Sequence, residues 1–173
     1  FFNVIKTYES VGMEFKKPNH IEIIKSKKSN FVNTFLEKMR IERTSASNLA
    51  HVDFENLTFG SVFTDHMFVC KYKNEKWQEP EVIPYQPLSF EPSMSVLHYG
   101  QSVFEGMKAY KDDEDKVWLF RPDQNFKRIN RSSERLQIPV FPENYFFEGL
   151  KTLLNLDKDW IKPGIGNSLY VRP

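Results

Sequence analysis

Apolar residues recur at two spacings. From about residue 57 to residue 120 they fall in short runs of β-branched and aromatic types, and beyond residue 120 they recur every three or four positions. The first pattern predicts strands and the second helices. Met67-Phe68-Val69-Cys70-Lys71-Tyr72 predicts a strand, with Asn74-Glu75-Lys76 as a hairpin tip before Trp77. Glu81 to Tyr85 predicts a short strand, and Pro84 suggests that it lies at a sheet edge. Phe104–Tyr110 and Lys116–Phe120 flank a charged tip, Lys111 to Asp115, and predict a β-hairpin. The acidic tip lacks the alternation and glycine of a calcium loop, so it is read as a solvated turn.

Pro122 is placed to open a helix on which Phe126, Ile129, Ser133 and Leu136 share one face. A second helix is expected from Pro142-Glu143 to about Leu156, with Phe146, Leu150, Leu153 and Leu154 inward. Residues 162–167 read as a loop, and Ser168 to Arg172 as a strand. At the other end, residues 1–20 show no period and are expected to be a loose arm. Ile21–Lys25 alternates as a strand, the lysines at 25, 27 and 28 fit a solvated turn, and residues 30–41 fit a short helix or ordered linker. The expected architecture is α+β, an antiparallel sheet flanked by helices. Its organisation reads as an arm and first elements over 1–55, an α+β core over 56–167, and a crossing toward a further domain over 168–173. The last residues, Tyr170 to Pro173, read as the inside of a strand, which suggests a piece of a longer protein.

Composition narrows the function. With 173 residues the chain suits one domain or slightly more. A net charge of +1 argues against a dedicated nucleic-acid binder. No apolar run reaches the roughly 18–20 residues of a membrane span. The single cysteine, Cys70, excludes an internal disulfide and fits a reducing compartment such as the cytoplasm.

Four clusters are candidates for chemistry. Val96 to Tyr110 packs polar and aromatic groups, His98, Tyr99 and Phe104 among them, between and around two glycines, Gly100 and Gly106, a composition that suits a pocket. Arg121, Arg128 and Arg131 crowd a strand-to-helix junction. A helix start with guanidinium forks suits a phosphate-like anion; the same spacing also suits a solvated face with ion pairs to Glu134. Tyr170 and Arg172 point to one side of the last strand, where they either receive a carboxylate-bearing small molecule or form a surface pair. Phe63-Thr64-Asp65-His66-Met67 lacks a partner at metal spacing, so Asp65 and His66 are read as loop ties.

Taken together, FGSVFTDHM (59–67), VLHYGQSVFEGMKAY (96–110), LFRPDQNFKRINRSSERL (119–136), LDKDWIKPG (156–164) and SLYVRP (168–173) resemble the branched-chain amino-acid aminotransferases, within the fold-type IV enzymes that use pyridoxal phosphate. The resemblance covers most of residues 57–173 and is loose over 1–55. It implies the smaller, N-terminal domain of a two-domain, homodimeric subunit. The activity it implies transfers the amino group of leucine, isoleucine or valine to 2-oxoglutarate. A D-amino-acid aminotransferase or an aminodeoxychorismate lyase is the alternative inside that fold, and a non-catalytic dimerising module the alternative outside it. FTDHM and the long N-terminal region favour the branched-chain group.

By the same resemblance, Arg128 grips the cofactor phosphate and Phe104 walls the substrate pocket. Tyr170 and Arg172 lie near substrate, Arg172 as a candidate cation for the second carboxylate of glutamate. Tyr99 reaches the pocket of the neighbouring subunit. The Schiff-base lysine is expected downstream of Pro173, so no catalytic residue is assigned here and the chain alone is expected to be inactive. Lys108 belongs to the FEGMKAY strand and is not that lysine.

Overall fold

The structure, a computed structural model, describes residues 3–8, 21–22 and 39–173. Its strands are β1 (Asn3–Tyr8), β2 (Ile21–Glu22), β3 (Arg40–Ile41), β4 (His66–Val69), β5 (Tyr72–Lys73), β6 (Lys76–Trp77), β7 (Glu81–Pro84), β8 (Met107–Lys111), β9 (Val117–Leu119) and β10 (Asn167–Arg172). Its α-helices are α1 (Ser95–Tyr99), α2 (Pro122–Arg135) and α3 (Glu143–Leu156). The class is α+β, as the patterns predict.

One sheet has the order β1-β10-β8-β9-β2, and every adjacent pair in it is antiparallel. Tyr170 stands opposite Lys108, and Leu169 opposite Ala109. Side chains alternate across a strand, so Met107, Ala109, Leu169 and Val171 line one face, and all four are buried. Tyr170 and Arg172 take the opposite face and are half-buried. The expected hairpin is present as β8–β9. Asp112 closes its turn by accepting from the Glu114 and Lys116 N–H groups, and from the Trp118 indole at 2.7 Å.

A second sheet has the order β3-β7-β4. β7 is therefore central, against the expectation of an edge. Pro84 is tolerated because it is the last residue of the strand, and the other neighbour, β3, runs parallel over two residues ending at Val82. The small hairpin β5–β6 turns through Asn74 and Glu75, both with positive φ (53° and 58°), the twist that a two-residue hairpin favours.

α3 presents Phe146, Leu150, Leu153 and Leu154 to the core, where they join Phe68, Val82 and the apolar face of the five-stranded sheet. Gly149 lets the helix close on β4: a Cβ there would overlap Phe68 Cε2 and stand 2.6 Å from its Cδ2. α2 starts at Pro122, as expected, after Arg121 has turned the chain left-handed (φ 48°, ψ 50°). On the expected α2 face Ser133 is buried and Phe126 and Ile129 are half-buried, whereas Leu136 lies past the helix end and is exposed.

The N-terminal expectations fare differently. β1 gives the presumed loose arm a strand over Asn3–Tyr8, paired along β10 from Asn3↔Arg172 to Tyr8↔Asn167. The expected strand at 21–25 is present at Ile21–Glu22. Its remainder, the lysine turn and residues 30–38 lie outside the described residues.

Candidate cofactor and substrate site

The segment between α1 and β8 brings Glu105 under the start of α2. Its carboxylate is 2% exposed, and the structure gives it several donors. Arg128 approaches from α2 with one edge of its guanidinium, which offers two donors: Nε donates to Oε2 at 2.6 Å and Nη2 to Oε1. The Gly106 N–H donates to Oε1 at 2.7 Å. Burial alone would raise the pKa of Glu105; Arg128, the Gly106 amide and Asn125 outweigh it and hold the carboxyl below its usual range. Arg128 itself keeps 60% of its side chain exposed. The ion pair foreseen with Glu134 is thus made instead with Glu105, 23 residues upstream. Arg121 and Arg131 are exposed.

The backbone around Glu105 is tied on both sides. Its N–H donates to the carbonyl of Pro173 at 3.1 Å, and the Gly106 carbonyl accepts from the Asn125 side chain at 3.1 Å. Tyr170 lies directly over Gly106: a Cβ at that position would overlap the phenol oxygen. Phe59 meets Tyr170 edge-on, with ring centroids 5.4 Å apart. Arg172 shares the sheet face of Tyr170 and is half-buried. The described structure therefore brings Arg128 and Tyr170 together through Glu105-Gly106.

Tyr99 and Phe104 are 86% and 75% exposed, Tyr99 at the end of α1 and Phe104 just before Glu105. Gly100 turns the chain left-handed between them (φ 60°). His98 hydrogen-bonds the Pro92 carbonyl at 2.7 Å, which holds the α1 segment on itself.

Asp65 and His66 tie loops, as expected, but they do so as two separate hubs. Asp65 accepts from Ser47 Oγ, the Asn48 N–H and the Trp160 indole at 2.6–2.9 Å. His66 is buried. Its Nε2 accepts from the Thr44 N–H at 3.0 Å, so its Nδ1 carries the hydrogen and donates to Asp157 at 2.6 Å. Burial pushes the Asp157 carboxyl above its ordinary value, against the hydrogen bonds from His66 and Thr64. Among the described residues no group of three or more His, Cys, Asp or Glu could hold a metal, and no helix is long and apolar enough to cross a membrane.

Branched-chain-amino-acid aminotransferase 2 of Bacillus subtilis is 51% identical over 138 residues, covering 79% of this chain and 38% of that protein. The branched-chain-amino-acid aminotransferase of Dictyostelium discoideum is 44% identical over 149 residues, 86% of this chain and 39% of that protein.

The chain is homologous to the branched-chain-amino-acid aminotransferases.

A probable branched-chain-amino-acid aminotransferase of Staphylococcus epidermidis gives 46% identity over 138 residues. No family model matches the chain. The chain spans under two fifths of the length of the aminotransferases it matches, 38% and 39% of the Bacillus subtilis and Dictyostelium discoideum proteins. Two site residues escape a reading of this aminotransferase-like sequence from pattern alone. Glu105 sits inside FEG without a visible partner, because Arg128 is distant along the chain and meets it only after β8 and α2 have folded. Phe59 reaches Tyr170 across 111 positions of sequence; its sole local signal is an aromatic before a glycine.

Proposed function

We propose that this chain is the small-domain part of a cytoplasmic, homodimeric branched-chain amino-acid aminotransferase, in which a larger domain, expected after Pro173, supplies the Schiff-base lysine. The substrates are leucine, isoleucine or valine and 2-oxoglutarate, and the cofactor is pyridoxal phosphate. The observation that carries the reading is the juxtaposition of Arg128, Glu105, Gly106 and Tyr170 in a chain 44–51% identical to proteins named branched-chain-amino-acid aminotransferase.

The residues present fit the cofactor's phosphate. A guanidinium offers five N–H donors. Glu105 engages Nε and Nη2, one edge of the fork, which leaves the Nη1 end of this mostly exposed side chain for a ligand. Bound pyridoxal phosphate supplies the electron-accepting ring that amino-group transfer requires. Arg128 holds the phosphate ester by charge and planar geometry. Phe104, Tyr170 and Phe59 offer aromatic surface that favours an aliphatic side chain once the further domain covers it. Arg172 receives the second carboxylate of glutamate as a fork. Tyr99 projects from its own subunit toward the partner's pocket.

The test is turnover of leucine with 2-oxoglutarate. The full-length protein is expected to show it, and the 173-residue chain alone is expected to show none. Turnover by the chain alone overturns the assignment of the lysine to a further domain. No transamination by the full-length protein overturns the activity.

A further inference from the structure

The geometry points to Glu105 as the positioning residue that aims Arg128 at the cofactor's phosphate, an inference that rests on the proposed aminotransferase reading. An arginine on an exposed helix face samples many rotamers, and a phosphate site built on one would lose affinity to side-chain entropy. Arg128 is exposed over most of its length, yet its head is held by two parallel contacts to one carboxylate. That carboxylate cannot move away. It is buried, it accepts the Gly106 N–H, and its backbone N–H is bonded to Pro173 at the end of β10.

The arrangement fixes which edge of the guanidinium is spent and which is free. Glu105 takes Nε and Nη2, so the free donors lie at the Nη1 end. It also links the phosphate grip to the substrate wall. The residue after Glu105 is Gly106, on which Tyr170 rests, and Gly106 is further tied by Asn125 from the same helix as Arg128. A shift of the carboxylate moves the phosphate grip and the floor under Tyr170 together.

The experiment compares pyridoxal phosphate with unphosphorylated pyridoxal on the full-length apoprotein, by absorbance or fluorescence titration. Glu105→Gln is nearly isosteric but cannot accept from both Nε and Nη2 of the guanidinium. It is expected to lower affinity for pyridoxal phosphate about tenfold, the scale of a hydrogen bond to a charged group, and to leave pyridoxal affinity nearly unchanged. Glu105→Asp keeps the charge with a shorter reach and is expected to lie between. It serves in place of Glu105→Gln if that variant does not fold. In an Arg128→Ala background the Glu105 substitution is expected to cost nothing further. Equal loss of both ligands, or no loss, or an undiminished loss without Arg128, overturns the role of Glu105. If Arg128→Ala itself leaves the phosphate preference intact, the phosphate reading falls, and the role of Glu105 with it.

Discussion

Tyr170 rests its phenol ring on the bare backbone of Gly106, with no room for a Cβ between them. Gly106→Ala forces the ring aside, because the added carbon would stand 2.9 Å from Tyr170 Cζ as well as overlapping the hydroxyl. The expected cost is about 1–3 kcal/mol of stability, read as a shift in the urea midpoint. Transamination by the full-length protein should fall with it. An unchanged midpoint would mean that the ring and the glycine are not in contact.

The Glu105–Arg128 pair predicts a pH signature. The carboxyl titrates below its unfolded value. Its contribution to stability is therefore complete above the unfolded pKa and fades as pH falls through the folded one. The stability difference between the native sequence and Glu105→Gln should hold steady down to about pH 5 and shrink below about pH 4. Urea melts across that range measure it; a difference that grows on acidification contradicts the pair.

Removing Asp157 takes an acceptor from the buried Thr64 hydroxyl and strands two buried donors, the His66 ring N–H and the His66 backbone N–H. Asp157→Ala is expected to cost about 1–3 kcal/mol for each stranded donor, seen by thermal or chemical denaturation. Surface carboxylates such as Glu91 provide the comparison and should leave stability within about 0.5 kcal/mol.

What was legible in the sequence was whatever depends on neighbours along the chain. The β8–β9 hairpin, the Asn74-Glu75 turn, the Pro122 start of α2 and the inward face of α3 all announce themselves within a few residues. What was not legible comes from pairings between distant segments. β1 carries little pattern of its own and becomes a strand by lying along β10, with Asn3 opposite Arg172. β7 looks like an edge because of Pro84, and is central because Arg40–Ile41 arrives from far upstream. At the site, the junction drew attention to Arg121, Arg128 and Arg131 together, but the carboxylate partner of Arg128 was hidden, since Glu134 is nearer in sequence and Glu105 nearer in space.

Tyr99 separates stability from function. It is the most exposed of the assigned site residues, so Tyr99→Ala should change stability by no more than about 0.5 kcal/mol. If the side chain serves the neighbouring subunit, transamination by the full-length dimer should nevertheless fall. Mixed dimers should restore it when a Tyr99→Ala subunit supplies the pocket and a pocket-defective subunit supplies Tyr99. Activity that follows Tyr99 within its own subunit would refute service across the interface.

The only thiol in the sequence is tucked beside β4, where Cys70 Sγ donates to the Gln78 carbonyl and burial lifts its pKa to about 11. Thiolate is the form that reacts with maleimides, so this sulfur is slow near neutrality. A cysteine engineered on the outside, at position 99 for instance, can therefore carry a fluorophore or spin label without first deleting the natural one.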